Sequence, residues 1–273
     1  MSVWDTYGAR IEAHGGSKRG TDLKRAARTL RMRVPDSLSY HTVTVFDCEH
    51  GYNIDSDEVR NGAQYQNVAI INTDNLDEKL MHSLPGEDIR LGSLVEWMDN
   101  HWLVTERDAN TTLYTRTKLK QCNYLLRWVS ADDHRIYEQW CVVEDGTKYL
   151  TGELEDRHYI VSRGDSRISL MIAKTDKTVL FNRQNRFLID EPQSSRLIAY
   201  TLSKPLKLGG VFNGEGVYKF VLQEVQSTDD DNHDLRIADY YRFFPNSVAV
   251  EPGNPEVIDP AHLTDENGRR VWL

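Results

Sequence analysis

The residues from Thr228 to Asp234 form an acidic run with side-chain oxygens of the kind that a calcium-binding loop supplies. An EF-hand loop needs glycine at its sixth position and a bidentate glutamate at its twelfth. Counted from Asp229, those positions hold Asp234 and Tyr240. The pattern therefore predicts a solvated loop, with adventitious calcium as the alternative.

Motifs for nucleotides, metals and nucleophilic catalysis are missing from the sequence. Neither G-x-x-x-x-G-K-[ST] nor G-x-G-x-x-G occurs, and the nearest stretch, GGVFNGEG at 209–216, leads into a strand and predicts a hairpin loop. There is no H-E-x-x-H or G-x-S-x-G, and the nine histidines are scattered singly. Glu87 and Asp88 are adjacent carboxylates, which a glycoside hydrolase could use as acid and base. Because the chain has 42 acidic residues, such adjacency does not identify a hydrolase site. We predict no enzymatic activity, no cofactor and no metal.

Composition is that of a globular chain of 273 residues, 39% hydrophobic, with 33 basic and 42 acidic residues and a net charge of −9. This length suits two domains. No stretch approaches the roughly 20 apolar residues of a membrane span, and the first residues form no apolar signal region. We expect a cytosolic protein with no membrane partner. Cys48, Cys122 and Cys141 form no C-x-x-C pair and are expected as thiols, with Cys122 and Cys141 in one hairpin around a turn at 131–134.

Positive charge is concentrated at the N-terminus. Residues 1–34 hold eight basic residues and three acids, a net charge of +5, which leaves −14 for the rest of the chain. Thr21 is predicted to cap a helix from Asp22 to Met32, ended by Pro35, while Gly15, Gly16 and Gly20 loosen the connection before it. We predict an arm that docks on a partner or faces DNA through Arg10, Lys18, Arg19, Lys24, Arg25, Arg28, Arg31 and Arg33. The alternative is a solvated helix packed on its own domain.

After Pro35 the apolar pattern changes from helical spacing to alternation, which predicts many short strands. They are Tyr40–Val45, Tyr65–Ile71, Leu94–Trp97, Trp102–Glu106, Tyr114–Val129, Ile136–Val143, Tyr159–Val161, Ile168–Ala173, Arg186–Ile189, Leu197–Leu202 and Val217–Val225. A polar loop is expected at 47–62, hairpin loops at 98–101 and 131–134, and one helical turn at 238–241.

The fold class predicted from this series is mainly β, with two β-barrel or sandwich-like domains, a short N-terminal amphipathic helix and an extended C-terminal tail. The predicted parts are a basic arm at 1–36, a β-barrel domain at 37–150, a second β domain at 151–244 and a tail at 245–273. Four of the six tryptophans, Trp97, Trp102, Trp128 and Trp140, lie on these strands. They are typical of a core, and a carbohydrate platform is the alternative.

Several stretches resemble a virion structural protein of long-tailed bacteriophages that infect Gram-positive bacteria. They are WDTYGARIEAHGGSKRG, RVPDSLSYHTVTV, VAIINTDNLDEKLMHSLPGEDI, VEWMDNHWLVTERDAN, KQCNYLLRWV, QWCVVEDGTKYLTGELEDR, RGDSRISLMIA, RFLIDE and DLRIADYY, and they cover most of residues 1–244. In that family such chains are head-closure or head-tail connector components of the neck. LGSLVEWMDNHWLVTE resembles the barrel hairpin of closure proteins.

The resemblance implies a virion protein of the neck, assembled in the host cytoplasm. Its implied partners are copies of itself in a ring, a portal or adaptor protein, tail proteins and packaged double-stranded DNA, which it touches non-specifically. The chain is longer than small closure proteins by about one β domain and a tail, so a decoration or tail-attachment role for the second domain is open.

Two further functions stay open from the sequence. One is a tail-tip or baseplate protein that binds host surface carbohydrate through aromatic side chains, for which glycan binding would be diagnostic. The other is a cell-wall hydrolase that acts through two carboxylates. The neck protein is the first hypothesis, because the motifs of the enzyme are absent from the sequence.

Overall fold

The computed structural model describes residues 3–13, 15–47, 63–108, 113–145, 167–190, 197–205, 207 and 209–245, and the backbone of residues 263–264 and 270–271. The chain is mainly β with two barrel-like sheets and N-terminal helices, which confirms the predicted fold class. It divides into two compact units. The first comprises Met1–Cys48, Asp57–Cys122 and Phe212–Val217, and the second comprises Glu49–Ser56, Asn123–Val211 and Tyr218–Leu273.

Two helices precede the strands of the first unit. They are α1 (Val3–Ala13) and α2 (Lys18–Arg33), and a single 3₁₀ turn, Val34–Asp36, follows α2. Pro35 lies in that turn and ends the helix as predicted. Helix α2 begins before the predicted Asp22, and α1 was not predicted.

Six strands of the first unit close into a barrel in the order β1-β2-β3-β6-β5-β4. All neighbouring pairs are antiparallel, including the closing pair of β1 with β4. Closure leaves no free sheet edge. The strands are β1 (Tyr40–Phe46), β2 (Gln64–Asn72), β3 (Glu78–Ser83), β4 (Leu94–Trp97), β5 (Asn100–Asp108) and β6 (Arg116–Gln121).

Strand β3 was not predicted from the sequence, because one of its inward-facing residues is polar. Met81 and Ser83 are its buried residues, and only Met81 is apolar. The Thr115 backbone N–H donates to Ser83 Oγ at 2.9 Å, so burial of this hydroxyl is compensated by a hydrogen bond. The apolar alternation that identifies a strand is therefore too short here.

The barrel core comes from alternate positions of the strands, as expected for a sheet with one buried face. It also includes Ile89, from the loop between β3 and β4. Its buried members are Val43, Val45, Val68, Ile70, Met81, Ile89, Val95, Trp102, Val104 and Leu119.

The second sheet follows the order β10-β11-β13-β9-β8-β7, with β12 paired to β13. Tyr124 Oη on β7 donates to the Leu188 carbonyl on β10 at 2.8 Å, which links the two end strands. Its core is rich in aromatic residues, including Trp128, Phe181 and Phe220. The strands are β7 (Tyr124–Val129), β8 (Ile136–Asp145), β9 (Arg167–Ala173), β10 (Arg186–Ile189), β11 (Ile198–Lys204), β12 (Val211–Phe212) and β13 (Glu215–Val225).

The predicted strand Tyr114–Val129 is two strands, β6 and β7, separated at Cys122–Asn123. The buried positions change phase at this break: Thr117 and Leu119 are buried in β6, whereas Tyr124 and Leu126 are buried in β7. Such a phase change cannot occur within one regular strand, because side chains alternate strictly between its faces. The two units also divide here, not at the predicted residue 150.

Two hairpin turns follow the predicted positions. Met98 and Asp99 have φ of 49° and 57°, the positive values of a two-residue type I′ turn, so Asn100 and His101 belong to β5 and not to the predicted loop. Asn213 and Gly214, with φ of 51° and 89°, form the second turn and confirm the glycine-rich stretch as a hairpin loop.

A third helix, α3 (Tyr240–Phe243), is a single turn near the predicted position. Of the predicted tail, the backbones of β14 (Leu263–Thr264) and β15 (Arg270–Val271) are described, and they pair antiparallel. The predicted loop beyond Asp47 and the predicted strand at 159–161 lie outside the described residues.

Candidate docking arm

The N-terminal arm, defined here as residues 3–36, is a helical hairpin with a tight turn. Helix α1 ends where the Gly15 N–H donates to the Glu12 carbonyl at 3.0 Å and the Gly16 N–H donates to the Ile11 carbonyl at 2.8 Å. Both glycines have positive φ, 117° and 72°, as in a Schellman-type helix end. A Cβ on Gly20 would lie 2.0 Å from the Gly15 carbonyl oxygen. The prediction that these glycines loosen the arm was therefore wrong, since they allow close helix contact.

Lys24 joins the two helices electrostatically. Its Nζ donates to the Ala13 carbonyl at 3.0 Å and to the Glu12 carbonyl at 3.4 Å, at the C-terminus of α1. The last carbonyls of a helix lack partners within the helix and carry partial negative charge. Lys24 is thus used within the chain to fix α1 against α2.

Helix α1 carries an exposed apolar stripe, of which Tyr7 and Ile11 also line a cavity shared with the start of α2. The stripe consists of Val3, Trp4, Tyr7 and Ile11, which are 82%, 79%, 59% and 41% exposed. Their spacing places them on one face of a helix. No residue of α1 is buried. This spacing was visible in the sequence and would have predicted α1.

Helix α2 differs from α1 in that its apolar face is half-buried, and its N-cap differs from the predicted one. Ser17 is its N-cap, because Ser17 Oγ accepts the Gly20 N–H at 3.1 Å. The predicted cap, Thr21, lies inside the helix, where its hydroxyl donates to the Ser17 carbonyl at 3.0 Å. The predicted apolar face is half-buried along its length: Leu23, Ala26, Ala27 and Leu30.

A groove of about 490 Å³ runs along one side of α2. Arg31 closes one part of it, since Arg31 Nε and Nη2 donate to the Pro85 carbonyl at 3.0 and 2.5 Å. A Cβ on Gly86 would lie 2.8 Å from Arg31 Nη2, so glycine lets the guanidinium approach this loop. The lining is Leu23, Lys24, Ala27, Arg28, Arg31, Met32, Pro85, Gly86 and Leu113.

The eight predicted basic residues are all exposed, but they do not form one surface. Lys24, Arg28 and Arg31 line the groove. Arg10 and Lys18 line a smaller cavity between α1 and α2. Arg19, Arg25 and Arg33 are exposed on α2 outside both cavities.

The acidic run is not simply a solvated loop, because Asp231 is buried. Arg186 Nη2 contacts Asp231 Oδ2 at 2.9 Å, and the backbone N–H groups of Thr228 and Asp239 donate to the same carboxylate at 2.8 and 2.9 Å. Burial raises the pKa of Asp231, but these hydrogen bonds and the guanidinium outweigh it and lower the pKa overall. Spacing alone could not identify this role, because Arg186 is distant in sequence.

A second charged cluster surrounds Lys177. Its Nζ contacts Asp132 Oδ2 at 2.8 Å and Asp133 Oδ2 at 2.7 Å, and it lies 5.0 Å from the ring centre of Tyr137. Hydrogen bonds from Lys177 and then from Ser130 lower the pKa of Asp132 to about 2. The residues are ion-paired with one another, as in a structural turn.

The tryptophans between 97 and 140 belong to the interior. Trp102 and Trp128 are buried, and Trp97 and Trp140 are half-buried. The rings of Trp97 and Trp102 are 5.8 Å apart in the barrel. This placement favours the core interpretation over a carbohydrate platform.

The cysteines and histidines of the described regions do not assemble a site. Cys122 and Cys141 are buried thiols, and burial raises the pKa of Cys141, which makes it a poor nucleophile. Cys141 pairs in register with Tyr124. Within those regions no group of three or more His, Cys, Asp or Glu side chains could hold a metal ion. Cys48 lies outside them.

In the described part of the chain, no helix has the length and apolar character needed to cross a membrane. Comparison with protein-family models, with curated proteins and with solved structures found no match to this chain.

Proposed function

We propose that this chain is a structural component of a bacteriophage neck, with no catalytic role. It forms a ring between the portal or adaptor protein and the tail, helps to retain packaged DNA and attaches the tail. The proposal starts from the sequence stretches that resemble neck proteins. A closed six-stranded barrel of the kind that this resemblance implies supports it.

The observation that carries the proposal is the exposed stripe of α1. Four large apolar side chains at 41–82% exposure form a continuous face on a helix that buries none of its residues. Exposed apolar faces of this kind mark interaction surfaces, because their exposure to water is unfavourable. A subunit that is completed by its neighbours has this property.

The charge distribution supports a role close to DNA. The chain outside the first 34 residues carries −14, so its field repels the phosphate backbone and lets DNA pass without adhering. The first 34 residues carry +5 and are suited to an acidic neighbour or to non-specific contact with DNA.

The test is quantitative mass spectrometry of purified particles of the phage that encodes this chain, with heads and tails separated. We expect about 6 or about 12 copies per particle, in the fraction of filled heads, as for a closed ring. Recovery with tails alone would instead assign the protein to the tail tip. Absence from both fractions would contradict a virion role.

A further inference from the structure

We propose that the apolar stripe of α1 docks in the α2 groove of a second copy of this chain. The inference rests on the proposed ring-forming function and names the contact by which neighbouring copies join.

The groove offers a mixed lining that suits an amphipathic helix. Leu23, Ala27 and Met32 supply apolar surface from α2, and Leu113 and Pro85 supply it from the barrel side. Met32 is 66% exposed, so this surface is open to a partner. An amphipathic helix that lays its apolar face in such a groove is a common mode of recognition.

The stripe of α1 offers the complementary surface. Trp4, Tyr7 and Ile11 are spaced i, i+3 and i+7, which places them in one row on the helix. Aromatic anchors of this type dominate binding energy where they enter a pocket. The three side chains of the stripe span about 10 Å along the helix.

The two surfaces also match in charge. Lys24, Arg28 and Arg31 are spaced i, i+4 and i+7 along the groove side of α2. Asp5 and Glu12, spaced i and i+7, are on the same flank of the α1 stripe, about 10 Å apart along the helix. Lys24 and Arg31 already donate to backbone carbonyls of their own chain, so Arg28 is the cation of the groove placed to meet a carboxylate beside the stripe, and this pairing favours one direction of docking.

The chain does not fill its own groove. Contact of Gly15 with Gly20, and of Lys24 with the last carbonyls of α1, holds α1 beside the start of α2. In that position the stripe stays 41–82% exposed. The groove needs α1 from another copy.

This contact is head-to-tail, because the stripe and the groove are different surfaces. A heterologous contact of this kind produces a ring if the rotation closes and a filament if it does not. Each copy then gives one stripe and receives one.

The experiment is sedimentation analysis of the full-length chain with substitutions on each surface. We expect Tyr7→Glu and Arg28→Glu each to raise the dissociation constant for self-association about tenfold or more, as for central interface residues.

Two variants serve as matched controls. Arg25→Glu changes the same charge on the same helix but lies outside the groove lining. Tyr65→Glu makes the same substitution as in α1 at a tyrosine of β2 that is 79% exposed. Both should assemble like the parent chain, and circular dichroism should show that all four variants are folded.

Mixing gives the decisive result. The Tyr7→Glu chain keeps an intact groove, and the Arg28→Glu chain keeps an intact stripe. An equimolar mixture should form a one-to-one pair that cannot grow, with the affinity of the parent contact, at concentrations where each variant alone dissociates.

A mixture that stays monomeric while the parent chain assembles would overturn the inference, as would a weakening by Arg25→Glu equal to that by Arg28→Glu. A parent chain that is monomeric at all concentrations would also overturn it and assign the groove to a different protein. The ring proposal fails separately, through the copy number in particles.

Discussion

At the scale of single residues, Asp231 organises the segment that follows β13. Its carboxylate accepts two backbone N–H groups and is paired with Arg186, whose Nη1 also contacts Asp239 Oδ1 at 2.6 Å. The neighbouring Asp229 is exposed and is in none of these contacts.

Asp231→Ala should therefore lower the free energy of unfolding by about 2–4 kcal/mol, because it leaves two backbone N–H groups without their acceptor and removes one of the two carboxylates paired with Arg186. The measurement is urea unfolding of the full chain. Asp229→Ala is the control, and we expect it to change stability by less than about 0.5 kcal/mol. Equal effects of the two substitutions would contradict the assigned role.

The ion pair of Asp132 with Lys177 predicts how the stability of the fold depends on pH. Lys177 and Ser130 lower its pKa to about 2, below the usual value of 3.8. A lowered pKa in the folded state means that its contribution to stability is complete above pH 4 and is lost as the pH falls from about 4 to about 2.

Lys177→Met should raise the pKa of Asp132 towards 3.8, as followed by NMR titration of the carboxyl carbon. Lys219→Met removes an exposed lysine of β13 and serves as the control. An unchanged Asp132 titration in the Lys177 variant would show that the lysine is not the cause.

At the scale of elements, two glycines of the arm have opposite roles. A Cβ on Gly8 of α1 would meet nothing within 4 Å, whereas a Cβ on Gly20 of α2 would collide with the Gly15 carbonyl. The helix propensity of alanine is higher than that of glycine by about 1 kcal/mol at both places.

Gly8→Ala should stabilise α1 and slow exchange of its amide hydrogens, while Gly20→Ala should separate the helices and speed exchange in α1. Hydrogen exchange read by mass spectrometry distinguishes the two. The tight hairpin would be contradicted if α1 exchanged faster in the Gly8 variant than in the parent chain. It would also be contradicted if exchange in the Gly20 variant were no faster than in the parent chain.

A strand could be predicted from the sequence only where apolar and polar residues alternate over enough of its length. Strand β4 was predicted with its correct bounds because its ends coincide with turn residues. Strand β3 was missed because Ser83 takes a core position. The break between β6 and β7 was missed, although the phase of alternation changes there.

At the scale of the whole molecule, the separation of charge predicts weak, salt-sensitive binding of DNA. The charge of −14 beyond residue 34 opposes binding, and only the charge of +5 in the first 34 residues favours it. Each phosphate contact changes the slope of log K against log salt by about −0.9.

We expect a double-stranded oligonucleotide to bind at about 20 mM salt and to be released at about 150 mM, measured by fluorescence anisotropy. Replacing Arg19 and Arg25 by Glu should abolish the low-salt binding. Replacing Asp229 and Asp230 by Ala should not weaken it. Tight binding at about 150 mM salt would contradict a DNA-repelling body.

The sequence by itself determined the fold class, the strand-rich body, the α2 helix and the basic character of the arm. These properties follow from periodicity, turn chemistry and charge, which are local in the chain. It also assigned the glycine-rich stretch to a hairpin and not to a phosphate loop.

Only the tertiary structure decided which side chains meet. The pairing of Asp231 with Arg186, the contact of Arg31 with Pro85 and the close approach of Gly15 and Gly20 depend on folding, because the partners come from different elements. The same holds for the eight arm cations, which the sequence groups into one basic segment. Folding divides them among the groove, the inter-helix cavity and the open face of α2.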